Sequence, residues 1–412
     1  MSEEKLVPKL RFSGFTDEWN EVTLNDVATF SKGKGISKND ISNYGIECVR
    51  YGELYTKYNE MIYNIESKTD LNKNELKLSE KNDILMPCSG ETAIDLATAS
   101  CIQKDQVAIG GDITVIKTNQ YAPFITYYLN QKKTEIAKYA QGVSIVHLYP
   151  KDFKVMNIRI PSINEQKMII GLLEEITKKE QLLESKYQQY QEFKKYLMQQ
   201  IFTQKLRFDF NDEWKNIPFK KLLKEVNEKT TVNNQHEILS STKEGIFTQK
   251  DYFADRNVAS KDNTGYKVLR KNQIVLSPQN LWMGNINVNT EFDIGIVSPS
   301  YKIYETTDLI DINYFKHIVK LPRLIYEYTC ASEQGASIVR RNLNKQLFNE
   351  ITIKVPSLNE QKKIGNLFDT CDEKIKNIDK NIQDMKEFKK GLLQQMFVVQ
   401  LILSLLQNKK HI

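Results

Sequence analysis

The stretch PSINEQKMI, Pro161–Ile169, returns as PSLNEQKKI, Pro356–Ile364. The two copies start 195 residues apart (356 − 161 = 195), yet most of the chain between them agrees poorly with what precedes it. Repetition on this scale sets architecture and is read before local detail. At the same offset Glu192-Phe193-Lys194-Lys195 recurs as Glu387-Phe388-Lys389-Lys390, and LMQQIF from Leu197 recurs as LLQQMF from Leu392. KLRF at Lys9–Phe12, followed by DEW at Asp17–Trp19, recurs as KLRF at Lys205–Phe208 and DEW at Asp212–Trp214. Upstream of each Pro-Ser, QGVSIVHL from Gln141 pairs with QGASIVRRNL from Gln334, the second copy carrying two extra residues before the leucine. Several matches in one order argue for a tandem duplication: variable segment, shared segment, variable segment, shared segment.

Each shared segment opens with the spacing of a capping box, Ser162-x-x-Glu165 and Ser357-x-x-Glu360, which supplies side-chain acceptors to orphan N–H groups at a helix start. Pro161 and Pro356 end the preceding extended stretch without costing helical hydrogen bonds. Beyond the box each segment is heptad-patterned. Ile169, Ile176, Leu183, Tyr190 and Leu197 fall seven apart in the first segment, as do Ile364, Cys371, Ile378, Met385 and Leu392 in the second. Leu172, Phe193, Leu367, Ile375, Ile382 and Phe388 are read as flanking the seam. Apolar residues so spaced keep one narrow stripe toward a partner helix, so the two helices are expected to pair with each other as an antiparallel coiled coil. About 40 residues of helix make a rod of about 60 Å.

The variable segments lose the heptad. Strand-like runs DILMP from Asp83, DITVIK from Asp112, QIVLSP from Gln273 and SYKIYE from Ser300 alternate with helical stretches such as FITYYLNQKKTEIAKYA and INYFKHIVKLPRLIYEYT. The expected fold class is α/β (α+β): two such domains in tandem, joined by the two long helices, with a pseudo-two-fold internal repeat. The expected boundaries are 1–160 and 209–355 for the variable domains, 161–208 and 356–400 for the helices, and 401–412 for a divergent apolar tail. That tail, VVQLILSLLQNKKHI from Val398, is compatible with a longer helix, with packing on the N-terminal segment, or with a free end.

With 412 residues, 40% hydrophobic and 27% charged, the chain reads as globular. A formal charge of +6 permits a polyanionic partner without establishing one. The N-terminus MSEEKLVPKLRF lacks an apolar core of signal-peptide length, and the longest apolar run, FVVQLILSLL from Phe397, is far short of the roughly 20 residues of a membrane span. Five scattered cysteines without a CxxC pair suit a reducing compartment. A cytoplasmic location and no membrane partner are expected.

Candidate contacts lie in loops that mix cations, small residues and hydroxyl or amide donors. SKGKGISK supplies Ser31, Lys32, Lys34 and Lys38 and is no Walker loop, lacking the GK[ST] ending. VRYGELYTKY supplies Arg50, Tyr51, Glu53 and Tyr55. The paired loop places Gly142, Ser144 and His147 where its twin places Gly335, Ser337 and Arg340. Ser89, Ser241, Thr242, Lys243, Gln279, Asn280 and Arg341 complete the set. Any one such loop also reads as a solvated turn; the paired occurrence is what favours contact. No adenine-methyltransferase signature, HExxH or zinc-like cluster is present in the sequence, and no catalytic, cofactor or metal residue is assigned. The two ExK triplets, Glu192–Lys194 and Glu387–Lys389, fall inside the heptad helices.

On IPSINEQ and VPSLNEQ opening the helices, EFKK…LMQQIF and EFKK…LLQQMF closing them, and LRF…DEW leading into each variable domain, the chain resembles the specificity subunit of Type I restriction–modification systems, up to about Val399. The resemblance implies a non-catalytic subunit in which each variable domain reads one half of a bipartite, asymmetric double-stranded DNA target. It also implies that the helices set the spacing and dock two modification (methyltransferase) subunits, which hold S-adenosylmethionine. Two restriction subunits would add ATP- and Mg-dependent translocation and cleavage, leaving no cofactor in this chain. An alternative from the residues alone is a coiled-coil adaptor with two protein-binding domains; a stand-alone nuclease would need metal-dependent cleavage that depends on Glu192 or Glu387.

Overall fold

The computed structural model describes residues 5–142, 146–253, 260–334, 341–397 and 399–402. The chain forms two compact units, Met1–Glu184 with Lys380–Ile412, and Ser185–Asp379. The two heptad segments are single helices of 40 residues each, Ile163–Phe202 and Leu358–Phe397, and each contributes one half to each unit.

In the first unit a five-stranded sheet runs in the order Ala28–Lys32, Ile113–Thr118, Ile84–Pro87, Ser100–Ile102, Met61–Ile62. All pairs are antiparallel except the last. The runs DILMP and DITVIK are thus neighbours, with Leu85 opposite Val115. Behind the sheet the helix Ala122–Gln131 is buried over most of its length, because FITYYL is apolar on every face. A second sheet, Ala108–Ile109, Ile46–Val49, Ser67–Thr69, Ile41–Ser42, carries the candidate loops. The strand Asn20–Thr23 pairs antiparallel with Asn157–Ile160 just ahead of the long helix.

The second unit has a four-stranded antiparallel sheet in the order Leu223–Val226, Lys302–Thr306, Ile274–Leu276, Ile286–Val288. Lys215–Pro218 pairs with Thr352–Val355. Numbered by chain position, these four strands and the first four of the other sheet share the order 1-4-2-3. Here the helical run INYFKHIVKLPRLIYEYT is split into Ile312–Ile318 and Pro322–Cys330: Pro322 cannot continue a helix but starts one well.

Within the first unit the opening half of the first long helix (Ile169, Leu173, Ile176) shares a core with the closing half of the second (Leu392, Met396, Phe397). Lys386 Nζ lies 2.8 Å from Glu184 and 3.8 Å from Glu180 across that pairing. Within the second unit Leu197 and Ile201 share a core with Ile364, Phe368 and Cys371. Of the ten heptad positions, Leu183, Tyr190 and Met385 are half-buried and the others buried. The flanking seam agrees with expectation in part: Ile382 is buried and Leu172, Leu367 and Ile375 are half-buried. Phe193 and Phe388, by contrast, are 50% and 56% exposed, and Leu173, Phe368 and Met396, four beyond heptad residues, are buried. An α-helix advances 3.6 residues per turn, and beside Ile169, Leu197, Ile364, Ile378 and Leu392 the i+4 neighbour is the buried one.

Described residues of the apolar tail leave the helix. Val399–Ile402 pairs antiparallel with Lys5–Pro8, Lys5 opposite Ile402, and the Leu10 amide donates to the Gln395 carbonyl at 3.0 Å. Residues 403–412 lie outside the described residues.

One contact in the second unit makes it pH-sensitive. His317, buried, donates from Nε2 to Asp369 Oδ1 at 2.8 Å, with Nδ1 3.7 Å from Asp372. Lys316 also binds Asp369, and Lys194 binds Asp372. Burial lowers the His317 pKa, and the Asp369 hydrogen bond opposes that without reversing it. The unfolded chain therefore takes up the proton first as pH falls, so stability drops below about pH 6.5, the ordinary histidine value. His317→Gln is expected to flatten the dependence of urea midpoint on pH between about 5 and 6.5. An unchanged slope would remove His317 as its source.

Candidate nucleic-acid interface

The repeated motifs meet at the base of each unit. Arg11, from the first KLRF, donates from Nε and Nη2 to the two oxygens of Glu165, from NEQ, at 2.7 and 2.8 Å, and the indole N–H of Trp19, from DEW, reaches Glu165 at 3.4 Å. In the second unit Arg207 makes the same fork on Glu360, both bonds at 2.9 Å. The capping box is accordingly half made in the first unit and unmade in the second. Ser162 Oγ accepts from the Glu165 amide at 3.4 Å, but both glutamates turn to arginine, and Ser357 Oγ is buried without a partner. Charge-assisted bidentate bonds outcompete a bond back to one backbone N–H. The glutamine of NEQ ties the helix start to the domain. Gln166 donates to the Pro161 carbonyl and accepts from the Tyr121 amide; Gln361 does the same with Pro356 and Asp311.

On this base the first unit gathers Lys32, Lys38, Arg50, Tyr51, Glu53 and Tyr55 around one cleft of about 890 Å³. The glycine-rich loop is pressed onto Ile109–Gly110: Gly33 and Lys34 amides donate to the Ile113 and Ile109 carbonyls, both at 2.9 Å. A Cβ on Gly33 would sit 2.0 Å from the Gly110 oxygen. The glycine is required by that close approach. Ser31, Lys32, Lys34 and Lys38 are left exposed, Lys32 lying 3.6 Å from Asp112.

Across the cleft Arg50 caps the short helix Tyr51–Thr56. Tyr51 is exposed, but Glu53, read from sequence as a surface contact, is only 3% exposed. Its carboxylate accepts from Ser67 Oγ, Lys57 Nζ (3.1 Å) and the Arg50 amide (2.9 Å). Burial works against its charge, yet these hydrogen bonds and Lys57 prevail and hold its pKa below the ordinary carboxylate range. It organises the site from beneath rather than reaching a ligand.

Tyr55 packs near Gly90, beside the two-residue ladder in which Ser89 faces His147. Ser89 Oγ and His147 Nδ1 are 3.1 Å apart, and the His147 ring stacks on Tyr149, 5.8 Å between centroids and 5° between planes. Gly142 has φ +121°, in the region glycine favours. Tyr149 carried no sequence signal beyond lying two residues past His147.

The second unit assembles a different surface. The Arg341 amide donates to the Gln279 carbonyl at 3.2 Å, and the Arg341 guanidinium lies 4.5 Å from the centre of the Trp282 ring. Gln279 is exposed and Asn280 half-buried beside it. Trp282 was missed from the sequence; its place two residues beyond Asn280 is the signal that could have found it. Ser241 and Thr242, expected as contacts, are instead buried. Ser241 Oγ donates to Asn285 and accepts from Asn287, and Asn287 also donates to the Thr242 carbonyl. Lys320 Nζ closes this network on Asn287 Oδ1 and the Lys243 carbonyl, and burial lowers its pKa. A polar loop that satisfies itself internally has no donors to spare. Lys243 itself is exposed, near Glu244. Ser144, Gly335, Ser337 and Arg340 lie outside the described residues.

Among the described residues no helix is long and apolar enough to cross a membrane, and no group of His, Cys, Asp and Glu is arranged to hold a metal ion.

A family model described as the Type I restriction modification DNA specificity domain matches residues 16–192. Among solved structures, the Type I restriction-modification S subunit from M. genitalium is similar at 17% identity and a TM-score of 0.60, over 96% of this chain and 100% of that one. A chain from a structure on complex assembly and conformational transition of the type I R-M system is similar at 14% identity and a TM-score of 0.53, over 94% and 99%. At those identities the structural likeness is one of fold, a mixed α/β architecture with two long helices. Residues 16–192 thus match a Type I restriction modification DNA specificity domain, and the chain as a whole is similar in fold to the solved S subunit.

Proposed function

We propose that this chain reads a split, asymmetric double-stranded DNA target, one half with each variable domain, 1–160 and 209–355. The helices 161–208 and 356–400 pair as an antiparallel coiled coil, set the spacing between half-sites and dock two modification subunits. The chain is a tandem duplication that performs no catalysis itself; S-adenosylmethionine belongs to the modification subunits, and ATP and Mg to two restriction subunits. The observation that carries this reading is the doubled Arg–Glu base with the same 1-4-2-3 strand order above it and different side chains in the loops. Common scaffolds with divergent loops suit two different short sequences. Exposed Lys32, Lys34, Lys38 and Lys243 provide phosphate contacts, so binding weakens as salt rises. The location is cytoplasmic, where DNA and partners are.

Single-molecule methylation mapping tests the reading in cells carrying the cognate modification subunit, with and without this gene. A bipartite adenine-methylated motif is expected only with the gene. If both proteins are expressed and assembled but no such motif forms, the adaptor alternative gains.

A further inference from the structure

We propose that Arg50 reads a guanine in the half-site of the first unit and that Glu53 is its positioning residue. This rests on the DNA-reading function proposed above. Three donors, the Arg50 amide and Lys57 Nζ from the two ends of its own short helix and Ser67 Oγ from a separate strand, fix the buried Glu53 carboxylate. Arg50 Nη2 lies 3.7 Å from that carboxylate, near enough to be held by its charge and too far for a hydrogen bond that would occupy it. Arg50 Nε is buried and has no hydrogen-bond partner. An unmet buried donor is costly, and one at the wall of an open cleft is met when a ligand brings an acceptor.

The chemistry selects guanine. A guanidinium presents a rigid fork of donors and accepts nothing. Guanine alone offers two adjacent acceptors, O6 and N7, in the major groove, whereas adenine pairs its N7 with a donor and cytosine presents a donor. A phosphate contact needs only a mobile cation, which Lys32 and Lys38 at the same cleft already supply. An arginine anchored by a buried carboxylate is built for direction.

The test uses the complex of this chain with its modification subunits and duplexes carrying the mapped target, each guanine replaced in turn by 7-deazaguanine. In the wild-type complex one guanine of one half-site is expected to lose about tenfold in affinity when its N7 is removed. With Arg50→Ala or Arg50→Lys that penalty vanishes, while penalties in the other half-site persist and report an assembled complex. Glu53→Gln shrinks the same penalty without abolishing binding. The proposal is overturned if no guanine N7 matters to the wild type in either half-site, a result that needs no variant. It is also overturned if Arg50→Lys keeps every penalty, which would make Arg50 a phosphate contact. Failure of the underlying reading looks different: the wild-type complex then shows no preference for a bipartite target at all.

Discussion

Glu165→Ala is expected to destabilise the first unit by about 3–5 kcal/mol, the cost of leaving one member of a buried ion pair behind. Glu165 is 1% exposed and Arg11 13% by side chain, so little water reaches either. Alanine leaves the Arg11 guanidinium without its fork and the Trp19 N–H without its acceptor. Replacing both partners with apolar residues, Arg11→Met with Glu165→Leu, is expected to recover much of the loss, because a missing pair is cheaper than a broken one. Urea unfolding followed by tryptophan fluorescence reads the difference, since Trp19 sits in the affected cluster. A loss under about 1 kcal/mol, the range of exposed pairs, would show that the base of the unit is held elsewhere. Glu360→Ala makes the matching test on the second unit, where the fork comes from Arg207.

That pair also marks the boundary of what the sequence discloses. Strand positions such as Ile84–Pro87 and Ile274–Leu276, and the presence of both long helices, come from local periodicity and were legible, although the helices end at Phe202 and Phe397, short of the expected 208 and 400. The Arg11–Glu165 bond spans 154 residues, and no local pattern encodes it; KLRF, DEW and NEQ recur together because they touch, which repetition alone does not say. The capping-box expectation failed for the same reason, a distant arginine displacing a neighbouring amide. The loops were legible in composition and not in direction. Arg50 and Glu53 are both polar, three apart and at the same cleft, yet the Glu53 carboxylate is buried against Ser67 on a separate strand. Ser241 and Thr242 went inward because Asn285 and Asn287 wait beneath them.

Ile176→Glu is expected to abolish sequence-specific modification at both half-sites together, although Ile176 touches no candidate DNA contact in the proposed reading. The side chain is 7% exposed in a core shared with Leu392, Met396 and Phe397. A carboxylate there has no cation among those core neighbours, so the cost is about 3 kcal/mol or more, and the helix halves separate before the charge is buried. Ile378→Glu carries the same test into the second helix, at 6% exposure. Phe193→Ser is the control that distinguishes a true seam from mere hydrophobicity: larger than isoleucine but 50% exposed, it should change unfolding by no more than about 0.5 kcal/mol. The measurements are urea unfolding of the chain alone, copurification with the modification subunit, and methylation mapping. If Ile176→Glu assembles normally and modifies both half-sites, the helices are not the element that couples the two readers. If it loses one half-site and keeps the other, each domain works without its neighbour and a helical spacer is unnecessary. Loss of both with Phe193→Ser intact is the pattern that a paired-helix spacer requires, because only a joint support fails both readers through a residue that contacts neither target half.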